Sequence, residues 1–220
     1  MYHSLTPLQI RSVLTKKEWS RVVGFHTRNA PHRAHEFIMV EALKRCGGDG
    51  ILISPILGPK KSGDLLTEPL LESYAALLQS QEFPGDRALL APFESYPRYS
   101  GPREAVFTAL CRKNMGCSHF VVGRDHTGVA DYYSVDASQR FFNKLGDIGI
   151  EPIFFQSIAF DEFDNNYKDE QSCLEPRKIN GTEARERLLR KEQLPDWFMS
   201  SEVQAALVRF AQLEGTFVHD

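Results

Sequence analysis

From residue 21 onward the chain alternates short apolar runs with longer stretches in which apolar side chains recur every three or four positions. The short runs read as strands buried on both faces, and the longer stretches as helices with one apolar stripe. Strands are predicted at residues 21–25, 51–56, 87–93, 119–122 and 153–158. Between the first two, residues 32–46 carry Ala34, Phe37, Ile38, Ala42 and Leu43 at helical spacing and stop at Gly47-Gly48. Residues 67–78, 102–114 and 131–145 read the same way, with Pro102 near a first turn where its missing N–H costs nothing. Strands alternating with helices in this order predict an α/β domain, a parallel sheet covered by helices on both faces.

Beyond about Cys173 the pattern changes. Residues 182–191 and 200–213 read as two polar-faced helices separated by Leu194-Pro195-Asp196, forming a small helical C-terminal tail. Residues 161–175, acidic, Asn-rich and without a period, are predicted to be a loop. The expected division is a sheet domain over residues 1–175 and a helical subdomain over residues 176–220.

Composition narrows the function classes. A chain of 220 residues that is 42% hydrophobic can bury a sizeable core. No run approaches the roughly 18 apolar residues of a membrane span, and the polar stretch after Met1 does not resemble a secretory leader. A cytoplasmic protein without a membrane partner is expected. The formal net charge of -3 argues against nucleic acid as a partner, so any anion site must be local. Cys46, Cys111, Cys117 and Cys173 lie far apart with no C-x-x-C pair, and their spacing encodes neither a disulfide framework nor a zinc site.

In open α/β sheets ligands bind beyond the carboxyl ends of the strands, where loops lead into helix N-termini whose free N–H groups attract anions. Two loops match that setting. The first, His26-Thr27-Arg28-Asn29-Ala30-Pro31-His32-Arg33-Ala34-His35, follows the first predicted strand and runs into a helix. It places His32 and His35 at i and i+3 on one helical face, beside an always-charged arginine able to grip an oxyanion bidentately. Such a pair also arises in packed helices, and Arg33 reads equally as a solvated charge; the strand–loop–helix setting is what singles the loop out. The second loop, Gly123-Arg124-Asp125-His126-Thr127-Gly128, again follows a strand, with glycines that let backbone approach a ligand closely. Between them, Arg98-Tyr99-Ser100-Gly101-Pro102-Arg103-Glu104 offers two arginines for a third helix N-terminus or for surface ion pairs.

Across residues 6–207 these motifs make the sequence resemble the ATP sulfurylases. Residues 19–35 stand close to the family's Q-T-R-N-P-x-H-R-x-H. Residues 98–105 stand close to its R-Y-A-G-P-R-E-A, and residues 114–125 to its N-x-G-C-x-H-F-I-V-G-R-D-H. Asp131-Tyr132-Tyr133 also matches, and Asn180-Gly181-Thr182-Glu183-Ala184-Arg185 lies near S-G-T-x-x-R. The resemblance implies a Rossmann-like nucleotidyltransferase fold with an H-x-x-H phosphate motif. It also implies Mg-ATP as a substrate, Mg2+ entering with the nucleotide, and a small oxyanion as acceptor. By matching position it makes Thr27, Arg28 and Asn29 the catalytic loop, with His32 and His35 stabilising the transition state at the α-phosphate. It makes Gly123, Arg124, Asp125 and His126 nucleotide contacts, places Ile158 near adenine, and gives the oxyanion to His26, Arg28 and Thr127. The implied reaction converts ATP and sulfate to adenosine 5′-phosphosulfate and pyrophosphate. An ionised oxyanion needs no general base, so aligning it with the α-phosphate and spreading the developing charge is the main task.

Departures from the family pattern bear on the acceptor. His26 stands where the family has Gln, Thr127 where it has Ala, and Ala30-Pro31 displaces the family's proline by one position. A protonated His26 would add positive charge and suit a more highly charged anion. Another oxyanion, such as a phosphonate, therefore stays open beside sulfate, as do a non-catalytic nucleotide-binding module and a homo-oligomer. The zinc ligands of some bacterial members have no counterpart around residues 161–176, so no zinc is expected. No G-x-x-x-x-G-K-[ST] or N-terminal accessory domain is recognised, and a catalytic core alone is expected.

Overall fold

Strand β1 (Val22–Thr27) is the centre of the molecule's main sheet, and its sequence Val-Val-Gly-Phe is buried on both faces. On one side it pairs in parallel with β2 (Gly50–Pro55), which pairs with β3 (Ala88–Leu90). On the other side it pairs with β4 (His119–Val122), which pairs with β5 (Glu151–Phe154). The order β3-β2-β1-β4-β5 is that of an α/β fold in which the chain reverses direction across the sheet between β1 and β4. Our computed structural model describes residues 4–60, 62–124, 132–213 and 217–218. These belong to two compact units. Residues 1–27, 39–58 and 87–156 form the first, and residues 28–38, 59–86 and 157–220 the second.

In the first unit, alternate residues of the strands face opposite ways. Val22, Leu52, Phe120 and Val122 pack with Ile10 and Leu14 of α1 (Pro7–Lys16), Ala105 and Ala109 of α4 (Pro102–Asn114) and Phe142 of α5 (Ala137–Leu145). The alternate residues Val23, Phe25, Ile51 and Ile53 are buried too, as are Met39, Ala42 and Leu43 of α2 (Arg33–Cys46). Helices thus cover both faces. Helix α1 was not predicted from periodicity. It is set by a capping box in which the Thr6 hydroxyl accepts from the Gln9 N–H and the Gln9 side chain accepts from the Thr6 N–H. Helix α5 is shorter than residues 131–145 suggested and begins at Ala137 after a turn; residue 131 lies outside the described residues.

In the second unit, α3 (Thr67–Gln79) packs against α7 (Ser201–Leu213), and α6 (Gly181–Leu189) packs beside α7. Buried Gln204 ties the loop before α7 to that helix: its Oε1 accepts from the Leu194 N–H, and its Nε2 donates to the carbonyls of Leu194 and Met199. The fifth predicted strand, 153–158, is two elements: β5 ends at Phe154, and Ile158 opens a new strand, β6 (Ile158–Asp161). The predicted loop 161–175 is also corrected. It contains β7 (Asn166–Asp169), antiparallel to β6, and β8 (Pro176–Arg177) pairs with β6 on the other edge. These strands are short and polar, so no alternation marks them. A single buried carboxylate organises them: Asp161 accepts from the backbone N–H groups of Phe163, Leu174 and Glu175 and pairs with Lys168. Burial alone would push its carboxyl up, but together those bonds hold it well below the usual carboxylate range.

The same device fixes the entrance to α4. Glu104, 2% exposed, accepts from the N–H groups of Arg98 and Ser100. This folds the Arg98–Gly101 segment back over the helix start, where Tyr99 and Gly101 both take positive φ. Gly101 is required twice over, since a Cβ there would lie 2.4 Å from the Tyr133 ring. Replacing Glu104 with alanine strands buried backbone donors and should lower stability by about 1–3 kcal/mol. Glu104→Gln, which keeps one acceptor oxygen, should lose less. Urea denaturation midpoints measure both, and equal midpoints for Glu104→Ala and the unaltered chain would refute the role.

Candidate nucleotide and oxyanion site

The reversal point between β1 and β4 is where a parallel sheet opens a crevice at its carboxyl edge. Here the opening is visible in the register. β1 pairs with β2 as far as Thr27↔Pro55, and β4 with β5 as far as Val122↔Phe154, but β1 and β4 pair only at Val23↔His119 and Gly24↔Phe120. Beyond Gly24 the two central strands part. His26 and Thr27 stand on β1 at this edge, and Gly123 and Arg124 follow β4. A Cβ on Gly123 would meet nothing within 4 Å among the described residues. Asp125, His126 and Thr127 lie outside the described residues.

His26 has a neighbour that the sequence analysis missed. Arg112, in the last turn of α4, is completely buried, and its Nη2 lies 2.7 Å from His26 Nδ1. Its Cζ sits 4.3 Å over the Phe93 ring, while its Nε and Nη1 have no hydrogen-bond partner among the described residues. Burial pulls the guanidinium down to about 10, which leaves it charged at neutral pH. The Cys111 and Cys117 thiols nearby do not neutralise it, because burial raises both, Cys117 to about 12.

The second unit holds the rest of the first loop. Arg28 lies 3.9 Å from Asp64, a buried carboxylate, and the Asn29 carbonyl accepts from the Tyr74 hydroxyl. His32 and His35 stack with ring centroids 3.8 Å apart, and Phe198 stacks on His32 at 5.3 Å. Both residues are partly exposed overall, yet the ring Nδ1 atoms are shut off from solvent. Burial, and for His32 the adjoining His35 ring, pushes His32 well below its ordinary value. Burial takes His35 to about 4 against the pull of the Ala30 backbone. Both imidazoles are therefore neutral at pH 7. The backbone N–H of Arg33 donates to the Phe198 carbonyl, and its guanidinium pairs with Glu36 and Glu82. Arg33 is thus held by protein rather than by solvent.

Two cavities meet at His32. One of ≈200 Å³ is lined by Asn29, His32, Asp64, Arg185, Phe198 and Phe217 among others. Buried polar atoms of His32 (Nδ1), Asp64 (Oδ2) and Arg185 (Nε) lack partners among the described residues. The second, of ≈240 Å³, runs from His32 past Ile158, Phe160, Tyr167 and Trp197. The structure therefore brings His32 together with Asn29 in one cavity and with Ile158 in the other. Asp64, Arg185 and Phe198 were not singled out for the site beforehand. Of these only Arg185 carried a signal, as the last residue of the Asn180–Arg185 motif. The Arg98 guanidinium lies over Tyr96 and Phe107 and donates to Ser95 and the Tyr96 carbonyl.

Comparisons with known proteins give the family. The ATP-sulfurylase family profile matches residues 2–210. A sulfate adenylyltransferase from Symbiobacterium thermophilum is 41% identical over 96% of this chain and 54% of its own length; one from Pyrococcus abyssi is 37% identical over 94% and 55%. The chain thus spans about half the length of the curated relatives it matches. Among solved structures, a hexameric APS kinase from Thiobacillus denitrificans superposes with a TM-score of 0.71 at 21% identity, covering 94% of this chain and 39% of that one. A Plasmodium falciparum nicotinic acid mononucleotide adenylyltransferase superposes at 0.55 with 10% identity, covering 89% and 98%. At these identities the two structures speak for the fold alone, and it is the family match over nearly the whole chain that makes this protein a member of the ATP-sulfurylase family.

Proposed function

We propose that this chain carries the nucleotidyl-transfer chemistry of a sulfate adenylyltransferase, joining sulfate to the AMP moiety of ATP with release of pyrophosphate. One observation carries the reading: the stacked pair His32 and His35, kept neutral by burial, at the start of the helix that follows β1. A sulfate oxygen forms a bond to the α-phosphorus while the bond to the bridging oxygen of pyrophosphate breaks. Negative charge grows on the leaving group and is spread over the equatorial oxygens. Neutral imidazole N–H groups in a desolvated pocket stabilise that charge without first surrendering a proton. Arg28 supplies a cationic fork for the acceptor, and Thr27 and Asn29 flank it. Gly123 and Arg124, with Asp125, His126 and Thr127, are assigned to the nucleotide and acceptor by their motif, and Ile158 to the base.

Magnesium enters in this reading as part of the substrate Mg-ATP. No group of three or more His, Cys, Asp or Glu residues able to hold a metal occurs among the described residues. In Mg-ATP the ion is carried by phosphate oxygens and water. No described helix is long and apolar enough to cross a membrane. Assembly into a homo-oligomer is part of the proposal, in line with the hexameric state named for the Thiobacillus protein.

Pyrophosphate release from Mg-ATP across a panel of sulfate, selenate, phosphate and phosphonates tests the reading. Release with sulfate is expected; release only with another anion would replace sulfate as acceptor, and none with any would refute transfer. His32→Ala and His35→Ala should each lower turnover by roughly 10²-fold or more, the scale of one lost transition-state donor. Circular dichroism at the assay temperature must show both variants folded, and normal turnover in both would make the pair structural.

The same burial predicts a pH dependence. In the unfolded chain His35 takes up a proton near 6.5, but in the fold only near about 4. Between these values the unfolded state binds more protons, so stability is fully present above about 6.5 and falls as the pH drops toward about 4. Thermal melts from pH 7 to 4.5 should show this decline, and His35→Gln should flatten it. An unchanged slope in His35→Gln would contradict the assignment.

A further inference from the structure

Gly24 has no room for a side chain. A Cβ there would lie 3.0 Å from both Cβ and Cγ of Arg112 and 3.2 Å from the Phe120 ring. The stem of Arg112 therefore lies directly on the backbone of β1, and its guanidinium reaches His26, two residues nearer the carboxyl edge. This edge is where β1 and β4 part. Buried cations are ordinarily matched by a carboxylate, because an uncompensated charge in a low-dielectric interior is costly. Among the described residues no carboxylate pairs with Arg112, and two of its three nitrogens have no hydrogen-bond partner.

We propose that Arg112 is a positioning residue for the acceptor anion, acting through His26. An arginine has donors and no acceptor, so the nitrogen it approaches, Nδ1, must present a lone pair. That fixes His26 as a neutral ring with its one proton on Nε2. The positive charge that the sequence suggested for His26 resides instead on Arg112, behind the ring, where it cannot be titrated away in the working range. The ring passes this charge on as a strengthened Nε2–H donor, since hydrogen bonds in series polarise one another. A dianionic or more highly charged oxyanion at the β1 edge is the partner that such a donor, backed by a cation with no carboxylate partner among the described residues, would favour. Gly24 belongs to the device because it alone lets the arginine stem lie flat on the strand. The inference rests on the acceptor assignment above.

The test uses the full chain labelled with 15N-histidine, the His26 signals being assigned by their loss in His26→Gln. At pH 7 the ring should be neutral with its proton on Nε2, and Arg112→Met should abolish that pattern. Arg112→Met keeps the stem while removing an unmatched charge, so its melting temperature should not fall. With sulfate as acceptor, its KM for sulfate should rise about tenfold or more while KM for ATP stays within about twofold. In a His26→Ala background the same change should add less than about threefold, as expected of two residues acting in series. Arg112→Lys, which keeps a buried donor, should restore part of the loss and serves as the second variant if Arg112→Met does not fold. A protonated ring or an Nδ1–H tautomer in the unaltered chain would overturn the assignment. A lower melting temperature with both KM values raised alike would make Arg112 a packing residue. If the unaltered chain turns over no oxyanion at all, the acceptor reading fails, and the imidazole spectrum still decides whether Arg112 fixes His26.

Discussion

A parallel sheet whose strand order reverses must open at the reversal, because successive crossovers leave the two central strands on opposite sides and no loop bridges their carboxyl ends. In this protein that constraint falls between β1 and β4, which pair at only two positions before separating. The chemistry-bearing residues of the first unit follow from it. His26 and Thr27 occupy the last positions of β1, where pairing with β4 has ended, and Gly123 and Arg124 lie just past the last residue of β4. The chain running from Thr27 must then enter α2, and it does so through Asn29, Ala30 and the histidine pair.

Buried polar side chains do much of the remaining organisation, and they divide into two kinds. Glu104, Asp161 and Gln204 each take backbone groups of an irregular segment as partners and hold that segment against a helix or strand. A buried group used in this way stabilises because its capacity is filled. Arg112, Asp64, Arg185 and His32 are different, each keeping at least one inaccessible nitrogen or oxygen without a partner among the described residues. Asp64, Arg185 and His32 line the same cavity, and Arg112 sits beneath the strand edge.

The histidine pair joins these two themes. Stacking against each other and against Phe198 removes the rings from water, and that same removal keeps them neutral. A neutral donor in a desolvated pocket interacts more strongly with developing charge than one competing with solvent. The helical stretch after residue 176 contributes directly, since Arg185 of α6 and Phe198 of the segment before α7 line the cavity with His32.

The sequence alone determined that short apolar runs alternate with helices as in a parallel sheet, because a strand buried on both faces must be apolar at consecutive positions. It also determined the loop from His26 to His35, since the histidine spacing and the strand before it are local properties. Helix α1 was hidden because its signal is a cap, Thr6 with Gln9, rather than a stripe. The β6–β7–β8 sheet was hidden because its two edge strands, Asn166–Asp169 and Pro176–Arg177, are short and polar and have no period. Only the tertiary structure decided what Arg112 does. Its neighbours in sequence, Arg-Lys-Asn at the end of a helix, read as a solvated charged turn, and nothing local says that this arginine points inward. The decision was made by Gly24, 88 positions earlier in numbering, whose missing Cβ leaves a channel along β1 just wide enough for an arginine stem to reach His26.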